Sequence, residues 1–241
     1  MNLFAKRIKE PKIMDKIEMS AFERLSLANY KRWIIPLADN VIKVSGLKRG
    51  KILDVACGPG LLSKELAVRS KNFQVTGIDY SPQAIRLAKK NCRRLKNVKF
   101  RLANIYKLPH DSNHFDLVVC KDSFHHFDHP EAAIQEMLRV SGQNGVIYIQ
   151  DLKRNLPKYI FKKCLPPDTV IKKLQYYSTR ASYTPNEIKV MLHKMGIKKF
   201  SVKTHIPSLK EKNKYSRIGI SSKTLKESLE SRYSLIIKNR V

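Results

Sequence analysis

The sequence predicts an α/β fold with a doubly wound, mostly parallel sheet (Rossmann-like) behind a helical N-terminal segment. From residue 51 onward, short apolar runs alternate with helical stretches of about ten to fifteen residues, the pattern of βαβ units. Strands connected in this way are parallel, because each connection crosses the sheet through a helix. The 241 residues, 42% of them apolar, suffice for one substantial core.

Each element has its own signal in the sequence. The five apolar runs predict strands at residues 51–56, 73–79, 98–103, 115–120 and 146–151. Helices are predicted at residues 61–68, 81–95 and 130–141. The second of these begins with Ser81 as N-cap and Pro82 at the first helical position. Another helix begins at Thr184, where Glu187 completes a capping box, and ends near Met195.

The rest of the chain is predicted to surround this sheet. Residues 1–47 read as a helical lead-in or cap with a break or kink at Pro36. In the main domain, residues 48–222, the segment 152–182 is rich in lysine and aromatic side chains and is expected to cover the ligand site. Residues 198–206 and 215–221 predict a closing hairpin. Residues 223–241 predict a basic tail that forms an exposed amphipathic helix.

The charge of the chain is extreme, since 48 Lys and Arg against 20 Asp and Glu give +28. A field of this sign attracts nucleic acid, anionic lipid or phosphorylated substrates. A surface whose exposed positions have drifted to lysine explains the same number. The sequence leaves both interpretations open.

Several kinds of site and segment are not indicated by the sequence. The four cysteines form no C-x-x-C pair and do not cluster with histidines, so neither a metal site nor a disulfide framework is predicted. No apolar stretch approaches the roughly 20 residues of a membrane-spanning helix, and the first residues lack a secretory signal. We therefore expect a soluble, cytoplasmic protein without an integral membrane segment. The oligomeric state is left open.

The first predicted strand leads into a glycine turn and then a helix, the place where such sheets bind nucleotides. Asp54 lies near the end of the strand, and Gly58 and Gly60 follow in the turn, where the backbone must bend tightly. A dinucleotide site would have a third glycine where Ser63 stands. Since an acid at this place suits a cationic ligand, we predict that Asp54 faces the methionine end of S-adenosylmethionine.

A second acid, Asp79, ends the next strand 21 residues after Gly58, where a carboxylate can accept the ribose hydroxyls. Its alternative role is a negative charge at a helix N-terminus. Asn104, after the third strand, either contacts the adenine or is a simple turn residue. The predicted cofactor-binding residues are Asp54, Ala56, Cys57, Gly58, Gly60, Asp79, Tyr80, Asn104, Ile105 and Lys121.

The runs ILDVACGPG, VTGIDYSPQAIRLAKKN and LANIYKLPHDSNHFDLVVCKDSFHHFDHPEAAIQEMLRVSGQNGVIYIQDL resemble class I S-adenosylmethionine-dependent methyltransferases. The resemblance covers roughly residues 48–152 and is strongest with the small-molecule group that includes the ubiquinone and menaquinone biosynthesis enzymes. It implies a seven-stranded sheet with an antiparallel last strand. One departure is Asn104, which stands where the family has an acid beside the adenine.

Transfer of a methyl group from a sulfonium has a neutral leaving group, so alignment and desolvation supply most of the catalysis. A general base is needed only where the acceptor must lose a proton. His125 and His126 have a pKa range suited to deprotonating a phenol or an enol, and Asp122 could contact the transferred methyl. The alternative for the two histidines is packing against the cofactor.

The sequence therefore predicts a methyltransferase that acts on a small molecule, with an anionic or lipid-associated acceptor as one option. An RNA methyltransferase that uses the basic surface is the first alternative. Against it, residues 120–123 read Cys-Lys-Asp-Ser and not the Asn/Asp-Pro-Pro-aromatic motif of exocyclic amine methylation. The second alternative is a cofactor-binding protein without catalysis.

Overall fold

The computed structural model describes residues 7–10, 14–155, 169–204, 209–219, 221–223, 226 and 231–239. Its sheet has seven strands, in the spatial order β3-β2-β1-β4-β5-β7-β6. Strand β7 is antiparallel to both of its neighbours, whereas the pairs among the first five strands are parallel. The predicted fold class is therefore confirmed. The strands are β1 (Gly50–Val55), β2 (Phe73–Asp79), β3 (Val98–Leu102), β4 (Phe115–Lys121), β5 (Ser141–Leu152), β6 (Phe200–Lys203) and β7 (Arg232–Lys238).

The helices begin where the sequence places their caps. The Ser81 hydroxyl accepts a hydrogen bond from the amide of Ala84, and Thr184 forms a reciprocal capping box with Glu187. In the lead-in, Pro36 lies in the first turn of a new helix, and the break before it is a π-helical turn, Tyr30–Ile34. The α-helices are α1 (Lys16–Ala28), α2 (Ile35–Ser45), α3 (Leu61–Arg69), α4 (Pro82–Asn91), α5 (Pro130–Val140), α6 (Val170–Ala181), α7 (Pro185–Lys194) and α8 (Leu209–Ser216).

Two buried apolar clusters lie on the two faces of the sheet. Alternation along β1 places Ile52 in one cluster and Leu53 in the other, both fully buried. The cluster of Ile52 includes side chains of α2 and α3, and that of Leu53 includes side chains of α5 and α7. Because these clusters pack against both faces of the sheet, the carboxyl ends of β1, β2 and β4 are held side by side.

The predicted closing hairpin is wrong in its second half. Strand β6 lies within the predicted segment 198–206, but residues 209–216 form helix α8, and the other strand of the pair is β7. The exposed helix predicted for residues 223–241 is accordingly wrong for residues 232–238. Buried between β5 and β6, β7 carries the apolar run Leu235-Ile236-Ile237, which is typical of an interior strand. The sheet thus extends beyond residue 222, the predicted end of the domain.

The segment predicted to cover the site is described only in part. Strand β5 continues to Leu152, and α6 occupies residues 170–181, while residues 156–168 lie outside the described part of the chain. Helix α6 contacts both α1 and the short 3₁₀ turn Phe124–His126. Among the described residues, no helix is long and apolar enough to cross a membrane.

Candidate active site

A cavity of about 580 Å³ lies at the carboxyl ends of β1, β2 and β4, where open α/β sheets bind their ligands. Its volume is within the range of sites for cofactors and small molecules. The predicted residues that line it are Asp54, Ala56, Cys57, Gly58, Asp79, Tyr80, Asn104, Ile105, Lys121, Asp122, His125 and His126. Gly60 is the one predicted residue that does not line the cavity.

The two glycines of the turn, Gly58 and Gly60, are needed for different structural reasons. Both have positive φ, +53° at Gly58 and +73° at Gly60, a region that side chains rarely adopt. A Cβ on Gly58 would meet only Phe22, at 3.8 Å, so this backbone is open to the cavity. A Cβ on Gly60 would lie 2.8 Å from the Cβ of Ala88, so Gly60 permits the close packing of α4 instead.

Asp54 is held at the base of the cavity with only 1% of its surface exposed. Burial raises the pKa of its carboxyl to about 7, although the hydroxyl of Ser63 donates a hydrogen bond of 2.6 Å to it. Ser63 is therefore the partner of this acid, besides occupying the place of the third glycine of a dinucleotide site. A buried acid with a raised pKa is stabilised in its charged form by a cationic ligand.

Asp79 connects the glycine turn to helix α4. One carboxylate oxygen accepts a hydrogen bond from the amide of Gly58 and the other from the amide of Ser81, each at 2.9 Å. Burial raises the pKa of Asp79 as well. Because each carboxylate oxygen has a second lone pair, the same acid can also accept ligand hydroxyls. The ligand role and the helix N-terminal role are thus compatible here.

Asn104 has the geometry of a turn residue, the second of the two roles predicted for it. Its side-chain oxygen accepts a hydrogen bond of 2.9 Å from the amide of Tyr106, the Asx-turn arrangement. It also lines the cavity beside Ile105. The amide nitrogen of its side chain remains the group available for a ligand.

Asp122 is held in an ion-pair cluster. Arg232 donates to both of its carboxylate oxygens, at 2.8 and 3.0 Å, and the Lys121 ammonium lies 2.5 Å away. Burial alone would raise the pKa of Asp122, but Arg232 and Lys121 hold it well below the usual range. Trp33 lies under both cations, 5.4 Å from Arg232 and 5.9 Å from Lys121. This arrangement makes Asp122 a fixed anion and a poor proton acceptor.

His125 is buried and fixed by Asp151 of β5. Its Nδ1 lies 2.7 Å from one Asp151 oxygen, and its amide donates to the other at 2.8 Å. Burial alone would lower the pKa of His125, but the Asp151 carboxylate raises it. The carbonyl of His125 also accepts a hydrogen bond from Arg7. An immobile imidazole that is held by a carboxylate suits positioning better than proton uptake.

His126 is the more accessible histidine, with 26% of its side chain exposed. Its Nδ1 lies 2.7 Å from the carboxylate of Glu10, which also accepts a hydrogen bond from Ser178. Burial tends to raise the pKa of Glu10, but the two histidines lower it, so the carboxylate is ionised. Glu10, His125 and His126 bring three ligand atoms within 4.8 Å of one another, a set that could hold a metal ion. The spacing of the cysteines in the sequence gave no indication of this candidate metal site.

Comparison with known proteins decides the family. The family model for a methyltransferase domain matches residues 47–216. The chain belongs to the methyltransferase-domain family. The predicted class I S-adenosylmethionine-dependent methyltransferase is thereby confirmed, with S-adenosylmethionine as the cofactor of the class.

Curated relatives of this methyltransferase domain include ubiquinone biosynthesis O-methyltransferases. That of Nitrosomonas europaea is 32% identical over 132 residues, which cover 53% of this chain and 55% of the relative. That of Dechloromonas aromatica is 33% identical over 125 residues, 51% and 52% of the two chains. The chain therefore spans about half the length of the curated relatives that it matches.

Solved structures share the fold of the methyltransferase over nearly its whole length. The plantazolicin methyltransferase BpumL, solved in complex with SAH, has a TM-score of 0.69 at 22% identity, with 94% of this chain and 91% of that chain covered. A methyltransferase structure from Methanococcus maripaludis has a TM-score of 0.66 at 18% identity, covering 95% and 97%.

Among the residues of the site that were not predicted from the sequence, three hold the predicted ones in place. Glu10 lies in a basic segment and reaches the cavity only through tertiary contacts, so no local pattern indicated it. Arg232 lies in the segment predicted as a tail. Ser63 was noted only as a missing glycine, although its position one helical turn after the glycine motif could have suggested a partner for Asp54.

Proposed function

We propose that this methyltransferase transfers the methyl group of S-adenosylmethionine to an ionisable hydroxyl of a small molecule, such as a phenol or an enol. The observation that carries the proposal is the pair of Glu10 and His126 beside the cofactor cavity. A histidine oriented by a carboxylate is suited to removing the proton of such a hydroxyl.

The cofactor is proposed to lie with its charged methionine end at Asp54 and its ribose at Asp79. The fit is supported by two acids with raised pKa, Asp54 buried and Asp79 half-buried, and by the open space beside Gly58. When bound, the cofactor supplies an electrophilic methyl group. The adenine is proposed to lie among the remaining lining residues of β2, β3 and the glycine turn: Ala56, Cys57, Tyr80, Asn104 and Ile105.

His126 is proposed to take the acceptor proton while Glu10 fixes the orientation of the imidazole. The deprotonated acceptor oxygen would then be the nucleophile, and bound S-adenosylmethionine would supply the methyl group, with a neutral thioether as the leaving group. His125 and Asp122 are proposed to act as fixed polar groups that shape the site, because Asp151 holds the first and Arg232 holds the second. The enzyme thus aligns the reactants and removes one proton.

The acceptor class has support from two directions. The relatives are named as O-methyltransferases of ubiquinone biosynthesis, which favours a hydroxyl as the acceptor group. Arg7, Lys9 and Lys121 line the same cavity together with five carboxylates, so the cavity offers individual cationic partners for a phenolate without having a positive lining as a whole. A lipid-associated acceptor is compatible with the apolar wall that α1 contributes through Met19 and Phe22.

The test is methyl transfer from radiolabelled S-adenosylmethionine to a panel of catechols, simple phenols, aliphatic amines and RNA. For the best acceptor, His126→Ala is expected to lower kcat by about 100-fold or more, with cofactor affinity within threefold of wild type. His193→Ala, a histidine packed on Phe200 away from the cavity, is the matched control. Activity of His126→Ala within a factor of two of wild type would rule out the base.

The other arms of this assay decide between the remaining alternatives. Transfer to RNA but to no phenol would favour an RNA methyltransferase, and cofactor binding without transfer to any acceptor would favour a non-catalytic role. Activity lost on treatment with a chelator and restored by Zn²⁺ or Mn²⁺ would show that Glu10, His125 and His126 hold a metal ion instead of forming a base.

A further inference from the structure

We propose that a second concave site, at the β3 edge of the sheet, binds single-stranded nucleic acid. This β3 groove has a volume of about 980 Å³ and shares no lining residue with the cofactor cavity. The proposal concerns docking and does not depend on the methyl acceptor. The charged and aromatic residues that define the β3 groove are Lys89, Arg93, Phe100, Lys99, Arg101, His110 and His114.

The positive charge of the β3 groove comes from two neighbouring elements. Lys99 and Arg101 alternate along β3 and therefore project on the same side of the strand. Lys89 and Arg93 come from the end of α4 and the turn after it, and all four side chains are exposed. Among the described residues of the lining, Asp111 is the single acid. Four cations against one carboxylate suit the phosphates of a polyanion.

Aromatic rings accompany these cations. Phe100 points to the opposite side of β3 and packs against Cys57, Ile85 and Ala88, so the rings beside Lys99 and Arg101 are those of the two histidines. The ring of His114 is partly exposed, and it lies 5.8 Å from the ring of His110 with an interplanar angle of 38°. Nδ1 of His110 is buried without a hydrogen-bond partner among the described residues. Burial, with help from Arg101, lowers the pKa of His110, so this ring is a neutral hydrogen-bonding group. Rings beside cations are the means by which proteins stack and hold unpaired bases.

The shape favours nucleic acid over a membrane surface. A membrane is bound by protruding apolar side chains with cations around them, whereas this site is a concavity whose cations line its walls. Unpaired nucleotides can enter such a groove and place their bases against its rings. A duplex, with its bases stacked inside, cannot use the rings in the same way.

The experiment measures fluorescence anisotropy of a labelled 12-nucleotide single-stranded RNA against salt concentration. The variant Lys99→Gln/Arg101→Gln is compared with Lys189→Gln/Lys194→Gln, which removes two exposed lysines of α7 at the opposite edge of the sheet. Both variants have the same net charge. For wild type, a slope of log K against log salt of about −3 is expected from four phosphate contacts on a single strand.

The β3 variant is expected to lose about tenfold in RNA affinity at low salt and to reduce the slope by about 1.4, while the α7 variant stays within twofold of wild type. Unchanged cofactor binding by the β3 variant would confirm that its fold is intact. Equal losses in the two variants would overturn the proposal, because the binding would then follow net charge alone. Tighter binding to anionic phosphatidylserine vesicles than to RNA would overturn it in favour of a membrane surface.

Discussion

At the scale of single residues, the chemistry of the site rests on two carboxyl groups, Asp54 and Asp79, whose surroundings differ in burial and in hydrogen-bond donors. Both lie at strand ends, Asp54 buried and Asp79 half-buried, and desolvation raises the pKa of each. Asp54 relies on the hydroxyl of Ser63, whereas Asp79 has two backbone amides as donors. Without a cationic ligand, the ionised form of Asp54 is the less stabilised of the two.

The first prediction concerns the pH dependence of stability in the ligand-free protein. The folded state binds a proton at Asp54 more tightly than the unfolded state does, because the pKa is about 7 in place of 3.8. The stabilisation that the proton on Asp54 provides is therefore fully present below about pH 4 and is lost as pH rises to about 7. Wild type is expected to lose about 2 to 4 kcal/mol of unfolding free energy over this range through Asp54, and Asp54→Asn should not show this loss.

The measurement is urea denaturation of wild type and Asp54→Asn at pH 5 and pH 8. Since groups distant from Asp54 titrate alike in the two proteins, the difference between them reports Asp54 together with its coupling to Asp79 and Lys121. An equal decline with pH in both proteins would show that this carboxyl is already ionised in the absence of a ligand.

The second prediction concerns cofactor affinity. Asp79→Asn removes the charge and one acceptor oxygen from a group that holds the glycine turn and is proposed to bind the ribose. Loss of a hydrogen bond to a charged group costs about 1.5 to 3 kcal/mol, so binding of S-adenosylmethionine should weaken by roughly 10- to 100-fold. Titration calorimetry measures this dissociation constant. The control is Asp116→Asn: the wild-type Asp116 carboxylate accepts from the Lys51 amide far from the cavity, so this variant should bind the cofactor normally.

At the scale of elements, what the sequence could predict depended on whether the signal was local. The first five strands and the caps at Ser81 and Thr184 were predicted because alternation and capping are encoded by neighbouring residues. Strand β7 was missed because its apolar run is flanked by basic residues, and only its pairing with β5 and β6 makes it a strand. Glu10 was missed for the same reason, since its partner is distant in sequence.

The third prediction follows from the connection between β4 and β7. Arg232 of β7 neutralises Asp122, which is buried after β4 with φ of +48°. Arg232→Met should therefore lower the free energy of unfolding by about 3 kcal/mol, because a buried carboxylate loses its main partner. Asn tolerates positive φ, so the double variant Arg232→Met/Asp122→Asn should recover most of the loss. Guanidinium denaturation measures both, and no recovery in the double variant would contradict the ion-pair explanation.

At the scale of the whole molecule, a ligand that fills the cavity joins α1, β1, β2 and β4 and should stabilise the fold as a unit. The net charge of +28 destabilises the compact state by self-repulsion. The free energy of unfolding is therefore expected to rise noticeably when ligands or salt are added. The charge could be read from the sequence, but its concentration in the β3 groove could not, because that groove joins residues 76–114 only in the folded chain.

The fourth prediction is a thermal shift. At a concentration 100 times its dissociation constant, the demethylated cofactor product should add about 2.7 kcal/mol to stability. For a chain of this size that corresponds to a rise in Tm of about 5 to 10 °C. NAD at the same concentration should give no shift, because Ser63 replaces the third glycine of a dinucleotide site. A shift with NAD and none with the methyltransferase ligand would reverse the cofactor assignment.

The position of β7 between β5 and β6 has a consequence for synthesis on the ribosome. Residues 146–152 pair with residues 232–238, so a nascent chain exposes an unpaired β5 edge until about 80 further residues have emerged. Arg232 reaches Asp122 only in the same late step. Unfinished chains would therefore present both an aggregation-prone strand and an incomplete cofactor cavity, which makes this edge the place where chaperones would be needed most.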